Sequence, residues 1–373
     1  MIPFNKPFLS GKELDYIKQA VETGKISGNG VFTKKCQSFF EKKYNFKKCL
    51  LTTSCTNALE MAAILIQIVP GDEVIMPSFT FVSTANAFVL RGAKIVFADS
   101  TPFHPNIDEI KIEKLITPKT KAIVVVHYAG VACNMDYVIK LAEKYHLWVI
   151  EDAAHAVNSY YKKKPLGGIG HLGCFSFHET KNIQSGEGGM IMINDITLED
   201  RAEIIWEKGT NRSAFFRGKT NKYEWIDIGS SFFPSEITAA YLFAQIENLD
   251  LIQEKRDKLW NRYFQELQPL KKSGVMLPQI PEYSTNNAHI FYLVCTSTKE
   301  RDNLILHLKK LNVNAVFHYL PLHRSPYYLA RYPLSGLVNC EMFSERIIRL
   351  PMYYELTVEE QKSIINAVLS FYL

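Results

Sequence analysis

Lys181 has the setting that best suits covalent chemistry. It sits in Phe175-Ser176-Phe177-His178-Glu179-Thr180-Lys181-Asn182, after a strand-like run and before the glycines of Gly186-Glu187-Gly188-Gly189. A lysine among apolar rings and small residues can be held with its pKa lowered, which a Schiff-base amine needs. Alone, the segment fits an exposed loop lysine equally well. Asp152 ends the run Leu147-Trp148-Val149-Ile150-Glu151, where the carboxyl end of a strand in a doubly wound sheet would offer its carboxylate to a ligand. The plainer alternative is a cap for a helix starting at Ala153-Ala154-His155. His155 could share that site or be a satisfied surface histidine. Thr53-Ser54-Cys55-Thr56 precedes a strongly helical segment, 57–68. Hydroxyls at a helix N-terminus, with free amides and the positive dipole end, make an anion site; Ser54 or Thr56 could equally be an ordinary cap. Phe81, in Pro77-Ser78-Phe79-Thr80-Phe81, offers a flat face after another strand-like run, or a core ring.

Together these placements describe a site for pyridoxal phosphate. That cofactor needs a lysine for its aldehyde, a carboxylate to keep the ring nitrogen protonated, an anion hole for phosphate and a flat partner for the ring. Lys181, Asp152 and Ser54 with Thr56 supply the first three, and Phe81 the fourth. A competing motif is Gly168-Ile169-Gly170-His171-Leu172-Gly173, which fits the G-x-G-x-x-G dinucleotide fingerprint. The fingerprint requires a strand before it and a helix after it. Here a lysine-rich turn precedes and an apolar run follows, so a Gly-rich bend is expected.

The elements that must position these residues are short apolar runs at 49–51, 73–76, 94–97, 122–126, 147–150, 174–177 and 190–193. Helical segments at 56–68, 82–91 and 135–145 separate several of them, which predicts an α/β fold with a mostly parallel central sheet covered on both faces. Ser10-Gly11-Lys12-Glu13 reads as a capping box, with Leu14, Ile17 and Val21 on one helix face and Gly24 as the stop. After Pro234 the pattern predicts a long helical stretch (235–268), runs at 290–295 and 315–319, a helix at 299–311 and a last helix capped by Thr357. We divide the chain into a large cofactor-binding domain, 1–248, and a smaller α+β C-terminal domain, 249–373.

Composition is that of a soluble globular protein: 373 residues, 47% hydrophobic, 22% charged, net charge +5. Lysines cluster at Lys42-Lys43, Lys47-Lys48 and Lys162-Lys163-Lys164, as a solvated face or a funnel for an anionic substrate. No nucleic-acid-binding signature is present. The seven cysteines are widely separated and never spaced C-x-x-C, which argues against disulfides and against a zinc site, so no metal is expected. With no signal-like run and no segment of 18 uncharged apolar residues, a cytoplasmic protein without a membrane partner is expected.

At these residues the chain resembles the DegT/DnrJ/EryC1/StrS family of sugar aminotransferases. The likeness includes Ser54-Cys55-Thr56-Asn57-Ala58-Leu59-Glu60, His127-Tyr128-Ala129-Gly130, Glu151-Asp152-Ala153-Ala154-His155, the Lys181 segment and Phe317-His318-Tyr319-Leu320-Pro321-Leu322-His323. The resemblance implies the aspartate aminotransferase (type I) fold. It implies that Lys181 bonds the cofactor, Asp152 pairs the pyridinium nitrogen and His155 sits by the phenolic oxygen. Cys55, Thr56 and Ser176 would approach the phosphate, and Phe81 would stack on the ring. A homodimer with sites shared across the interface is also implied. Many members carry an asparagine in a G-x-N-Y-R segment that reaches the other subunit's phosphate. Here Gly229-Ser230-Ser231-Phe232-Phe233 stands there, so Ser231 would make that contact with a shorter hydroxyl or the contact is lost.

Within the family, the stretches 71–87, 127–133 and 207–213 resemble members that aminate C4 of TDP-4-keto-6-deoxy-D-glucose for a surface polysaccharide. L-Glutamate would be the donor; TDP-4-amino-4,6-dideoxy-D-galactose and 2-oxoglutarate would be the products. Substrate contacts are assigned to Asn29 in the loop 25–30, to Arg212 and Arg217 as partners for the diphosphate, and to His318 and His323. The two arginines are alternatively plain surface residues. Rival readings are amination at C3, a glucose-series product, or a non-catalytic sensor of the cofactor or of a nucleotide sugar. Sugar-dehydrating members usually have histidine in place of the lysine.

Overall fold

The computed structural model of the chain describes residues 1–333 and 336–372. Each apolar run between 48 and 193 forms a strand: β1 Lys48–Thr52, β2 Glu73–Pro77, β3 Lys94–Ala98, β4 Thr120–Val126, β5 Trp148–Asp152, β8 Leu172–Ser176 and β9 Gly189–Ile193. A two-stranded hairpin, β6 Tyr160–Tyr161 with β7 Lys164–Pro165, lies between β5 and β8. The seven long strands form one sheet in the order β1-β9-β8-β5-β4-β2-β3. Strands β8, β5, β4, β2 and β3 run parallel, and β9 runs antiparallel to both β1 and β8. The sheet is therefore mostly parallel, as the alternation of runs and helices predicts.

Burial on both faces explains why these strands read as continuous apolar runs. Every residue of β2, β8 and β9 is buried. Successive side chains point to opposite faces: Leu50, Met76 and Val124 join one core cluster, while Leu51, Ile75 and Val125 join the other. A third cluster lies in the C-terminal part, around Tyr263, Phe291, Leu304 and Ile365. It is built by helices Leu249–Glu266, Thr298–Lys310 and Val358–Tyr372 and by the antiparallel pair β10 Tyr292–Val294 and β11 Ile347–Arg349. No helix among the described residues is long and apolar enough to cross a membrane.

Four local expectations change. The stretch 235–268 is two helices, Glu236–Glu247 and Leu249–Glu266, because Asn248 leaves helical geometry at φ −103°, ψ 10°. The run 315–319 is no strand; only Val316 pairs, across to Arg349. At the N-terminal helix Glu13–Glu22, Glu13 accepts from the Ser10 and Gly11 amides, but the Ser10 hydroxyl does not cap the helix. Leu14 and Val21 on that helix stay exposed within the single chain. Finally, no helix starts at 153, so Asp152 has none to cap.

The Gly168–Gly173 motif wraps a carboxylate. The amides of Gly167, Ile169 and Gly170 donate to Glu151 at 2.6–2.8 Å, and β8 follows instead of a helix. Thr357 does cap the last helix: its hydroxyl accepts from the Glu360 amide and Glu360 reaches back to the Thr357 amide.

The parallel register brings the functional ends together. Val126 pairs with Asp152 and Asp152 with Cys174. Thr52, Pro77, Val126, Asp152 and Ser176 thus finish their strands on one edge, where an open α/β sheet binds its ligands.

Candidate active site

A cavity of about 430 Å³ opens at this edge, and Lys181, Asp152 and His155 line it together. Lys181 lies in the loop between β8 and β9, where its amide closes a turn onto the His178 carbonyl at 2.9 Å. The next residue anchors the loop: Asn182 donates to the Asn287 carbonyl, and its amide oxygen meets His289 Nδ1, both at 2.9 Å. Burial pushes the Lys181 ammonium down to about 8, and the charge of nearby Arg349 acts in the same direction.

Asp152 is 5% exposed. Its Oδ2 accepts from Thr84 Oγ1 at 2.7 Å and its Oδ1 from the Ala154 amide at 3.2 Å. Burial raises its pKa, and these two donors and Lys181 work against the rise. His155 accepts the Ala129 amide on Nδ1 at 3.3 Å, which assigns the proton of the neutral ring to Nε2. Burial holds its pKa well below the usual value, with Lys181 and Arg349 adding to the effect.

The anion end is the start of helix Cys55–Leu65, and Ser54, Cys55 and Thr56 line the cavity there. Ser54 caps the helix, its hydroxyl accepting from the Asn57 amide at 3.1 Å. Thr56 Oγ1 is bonded to Ser83 at 2.8 Å. The cap uses one of the orphan first-turn amides, and those of Cys55 and Thr56 remain for an anion. A Cβ at Gly189 would come within 2.3 Å of the Ser54 carbonyl carbon, so only glycine lets β9 approach this turn. Ser176, at the end of β8, completes the rim.

Phe81 precedes helix Val82–Val89 and is 56% exposed at the cavity wall, a ring face available for stacking. The far wall comes from remote segments: His318, Tyr319 and Arg349, with Phe4. These residues fit pyridoxal phosphate: an amine near neutrality, a buried carboxylate with few donors, open helix amides and an uncovered aromatic face.

Sequence reasoning missed Thr84, Tyr319 and Arg349. Arg349 left a signal: it is a lone charge in the apolar run Ile347-Ile348-Arg349-Leu350. Thr84 and Tyr319 left none, because their roles depend on what the fold sets beside them.

The assigned substrate residues divide. His318 lines the cavity. His323 does not: it is fully buried, with Nδ1 2.8 Å from Ser78 Oγ and Nε2 3.0 Å from Glu341. That network leaves it no face for substrate, which corrects the sequence reading. Asn29, Arg212, Arg217 and Ser231 do not line the cavity of their own chain. Asn29 donates to Glu207 at 2.8 Å, and Ser231 bridges the backbone of Glu207. Arg217 forms a two-pronged pair with Glu203, and Arg212 lies 5.5 Å over the Phe216 ring. Lys43, Lys47, Lys163 and Lys164 line a separate open groove of about 1060 Å³ beside the first residue of β5, away from Lys181.

The profile of the DegT/DnrJ/EryC1/StrS aminotransferase family matches residues 8–369. The spore coat polysaccharide biosynthesis protein SpsC of Bacillus subtilis is 32% identical over 376 residues, covering 98% of this chain and 96% of its own. Among solved structures, S. venezuelae DesV superposes with a TM-score of 0.90 at 28% identity, covering 99% of this chain and 98% of its own. Helicobacter pylori PseC, an aminotransferase involved in the biosynthesis of pseudoaminic acid, gives 0.90 at 25% identity over 100% of this chain and 99% of its own.

Proposed function

Because the chain belongs to the DegT/DnrJ/EryC1/StrS aminotransferase family, and is thereby a pyridoxal-phosphate-dependent sugar aminotransferase, we propose that it moves the amino group of L-glutamate to C4 of TDP-4-keto-6-deoxy-D-glucose. The products are TDP-4-amino-4,6-dideoxy-D-galactose and 2-oxoglutarate. The observation that carries the catalytic part is the meeting of Lys181, Asp152 and the open helix N-terminus in one cavity. The substrate part rests on the resemblance of 71–87, 127–133 and 207–213 to members with that specificity. The name of the Bacillus subtilis relative supports a role in surface polysaccharide synthesis.

The cofactor supplies an electron sink and carries the amino group between the two substrates. Lys181 would hold its aldehyde, Asp152 its ring nitrogen and His155 Nε2–H its phenolic oxygen. Cys55, Thr56 and Ser176 would hold its phosphate and Phe81 its ring face. With a pKa near 8, the Lys181 amine takes up and returns a proton close to neutral pH, as a general acid–base requires. Burial raises the Asp152 pKa while Thr84 and Ala154 favour its charged form, and that carboxylate would retain the proton on the ring nitrogen.

The site is proposed to be shared in a homodimer. The 25–30 loop, the 208–219 segment and the 229–233 segment converge on Glu207, which binds Asn29 and Ser213 and bridges Ser231. Exposed Ile26, Trp225 and Ile228 belong to these segments or adjoin them. Such a patch, whose residues do not line the cavity of their own chain, suits service to a neighbour's site, with Arg212 or Arg217 meeting the nucleotide diphosphate. The break at Asn248 supports the domain division at 248/249.

The test is the product. Proton NMR after incubation with TDP-4-keto-6-deoxy-D-glucose and glutamate should show an amine at C4 with a small H3–H4 coupling, the mark of an axial group. A large coupling, or an amine at C3, rejects the substrate assignment. Purified protein whose yellow colour no amino acid bleaches points to a sensor.

A further inference from the structure

Arg349 is a buried charge without a counter-charge. It is 8% exposed, and its Nε has no hydrogen-bond partner. Its Nη1 lies 3.1 Å from His318 Nδ1, a neutral acceptor, and its guanidinium carbon 5.3 Å from the Phe4 ring centroid. Arg201, Arg217, Arg301 and Arg324 each meet a carboxylate; Arg349 meets none among the described residues. Burying an unpaired guanidinium is costly unless an anion arrives.

The position is rigid. Arg349 ends β11, pairs with Tyr292 on one side and exchanges backbone hydrogen bonds with Val316 on the other. Its side chain lines the cavity that holds Lys181 and is the only arginine among the lining residues. Its charge is felt inside, since it helps to depress both Lys181 and His155.

Of the cavity's own carboxylates, Asp152 is engaged by Thr84 and Ala154, and Glu187 is exposed on the rim near His178. The missing anion must therefore come from a ligand. A donor amino acid whose nitrogen takes the place of the Lys181 amine carries its α-carboxylate two bonds from that nitrogen. A cation serving it has to stand beside Lys181, and a guanidinium matches a carboxylate with two parallel hydrogen bonds.

We propose that Arg349 is the receptor for the α-carboxylate of the amino donor. This rests on the reading above that the donor is an amino acid.

The test separates the two half-reactions in cofactor-loaded enzyme. For Arg349→Gln, the glutamate concentration needed to bleach the cofactor's visible absorbance should rise on the order of 100-fold, with partial recovery in Arg349→Lys. Inhibition by glutarate, an unreactive dicarboxylate, should weaken in parallel. The half-reaction of pyridoxamine-phosphate-loaded variant with the keto sugar should stay within a few-fold of wild type. Unchanged glutamate saturation, equal loss in both half-reactions, or failure of the variant to retain cofactor overturns the assignment; the last would give Arg349 to the phosphate. Wild-type enzyme that glutamate does not bleach, yet that binds glutarate through Arg349, would remove the donor reading and leave the carboxylate site standing.

Discussion

Thr84 Oγ1 donates to Asp152 Oδ2 at 2.7 Å, with both side chains closed off from solvent. Thr80 Oγ1 stands 2.8 Å from Thr84 Oγ1 and can donate to it, so two hydroxyls in series support one carboxylate. This bond stabilises the charged form and opposes the rise that burial imposes on the Asp152 pKa. Replacing Thr84 by Val removes a donor to the carboxylate, so the Asp152 pKa moves up. The acid limb of the kcat/KM profile should shift to higher pH and kcat should fall about tenfold. An unchanged profile would make Thr84 mere filling.

Asp152→Asn should keep bound cofactor and lose on the order of 10³-fold in kcat, because an amide cannot hold the ring nitrogen protonated. Absorbance of the purified variant checks the first half and steady-state turnover the second. Turnover within a few-fold of wild type would strip Asp152 of its role.

His323 ties the loop after β2 to the C-terminal part through Ser78 and Glu341. His323→Ala leaves the buried Ser78 hydroxyl without its ring partner and the part-exposed Glu341 with Arg324 alone, which should cost about 1–3 kcal/mol of stability. Denaturant melts measure that loss. At a temperature where the variant stays folded, KM for both substrates should remain within a few-fold of wild type; a selective rise in one would return His323 to substrate binding.

The sheet was legible because its strands are buried on both faces. All seven apolar runs became strands, since nothing but a covered sheet or a buried helix tolerates such runs, and their length excludes a helix. The break at Asn248 was hidden because apolar periodicity continues across it. The run 315–319 misled because it is apolar without being covered along its length: Ala315 is buried, but Phe317 within it and Leu320 just after it are exposed. At the site, residues at a strand end or in the loop that follows one could be found by position along the chain, as Asp152 and Lys181 were. Thr84 and Tyr319 could not, and Arg349 showed only as a lone charge in an apolar run, because their meaning arises when segments some 70 to 200 residues apart meet around the cavity.

The patch around Glu207 makes a prediction about assembly. Sedimentation of cofactor-loaded protein should give a dimer or larger. Lys181→Ala and Arg212→Ala subunits, each nearly inactive alone, should regain about a quarter of wild-type activity when mixed and allowed to exchange. Half the dimers would then be mixed, with one intact site in each. An active monomer, or no recovery in exchanged mixtures, contradicts the shared site.

Lys181 carries the last prediction, because its burial has consequences for both chemistry and stability. Borohydride reduction of the holoenzyme should fix a pyridoxyl group on the peptide containing Lys181, and an adduct elsewhere would end the assignment. In apoprotein the amine must be neutral to capture the cofactor. The rate of capture should therefore rise with pH around a midpoint near 8, more than two units below an ordinary lysine. The same shift acts on stability. The folded-state pKa lies below the unfolded 10.5, so the native state disfavours the proton that the unfolded chain keeps. The cost, about 3 kcal/mol at most, is full below pH 8 and disappears above 10.5. Apo Lys181→Met, which has no charge to bury, should be more stable than apo wild type at pH 7, and the gap should narrow as pH rises from 8 to 10.5. Urea melts of the two apoproteins across that range decide the matter: a gap that is absent at pH 7, or constant with pH, would mean that the Lys181 ammonium is well solvated and its pKa ordinary.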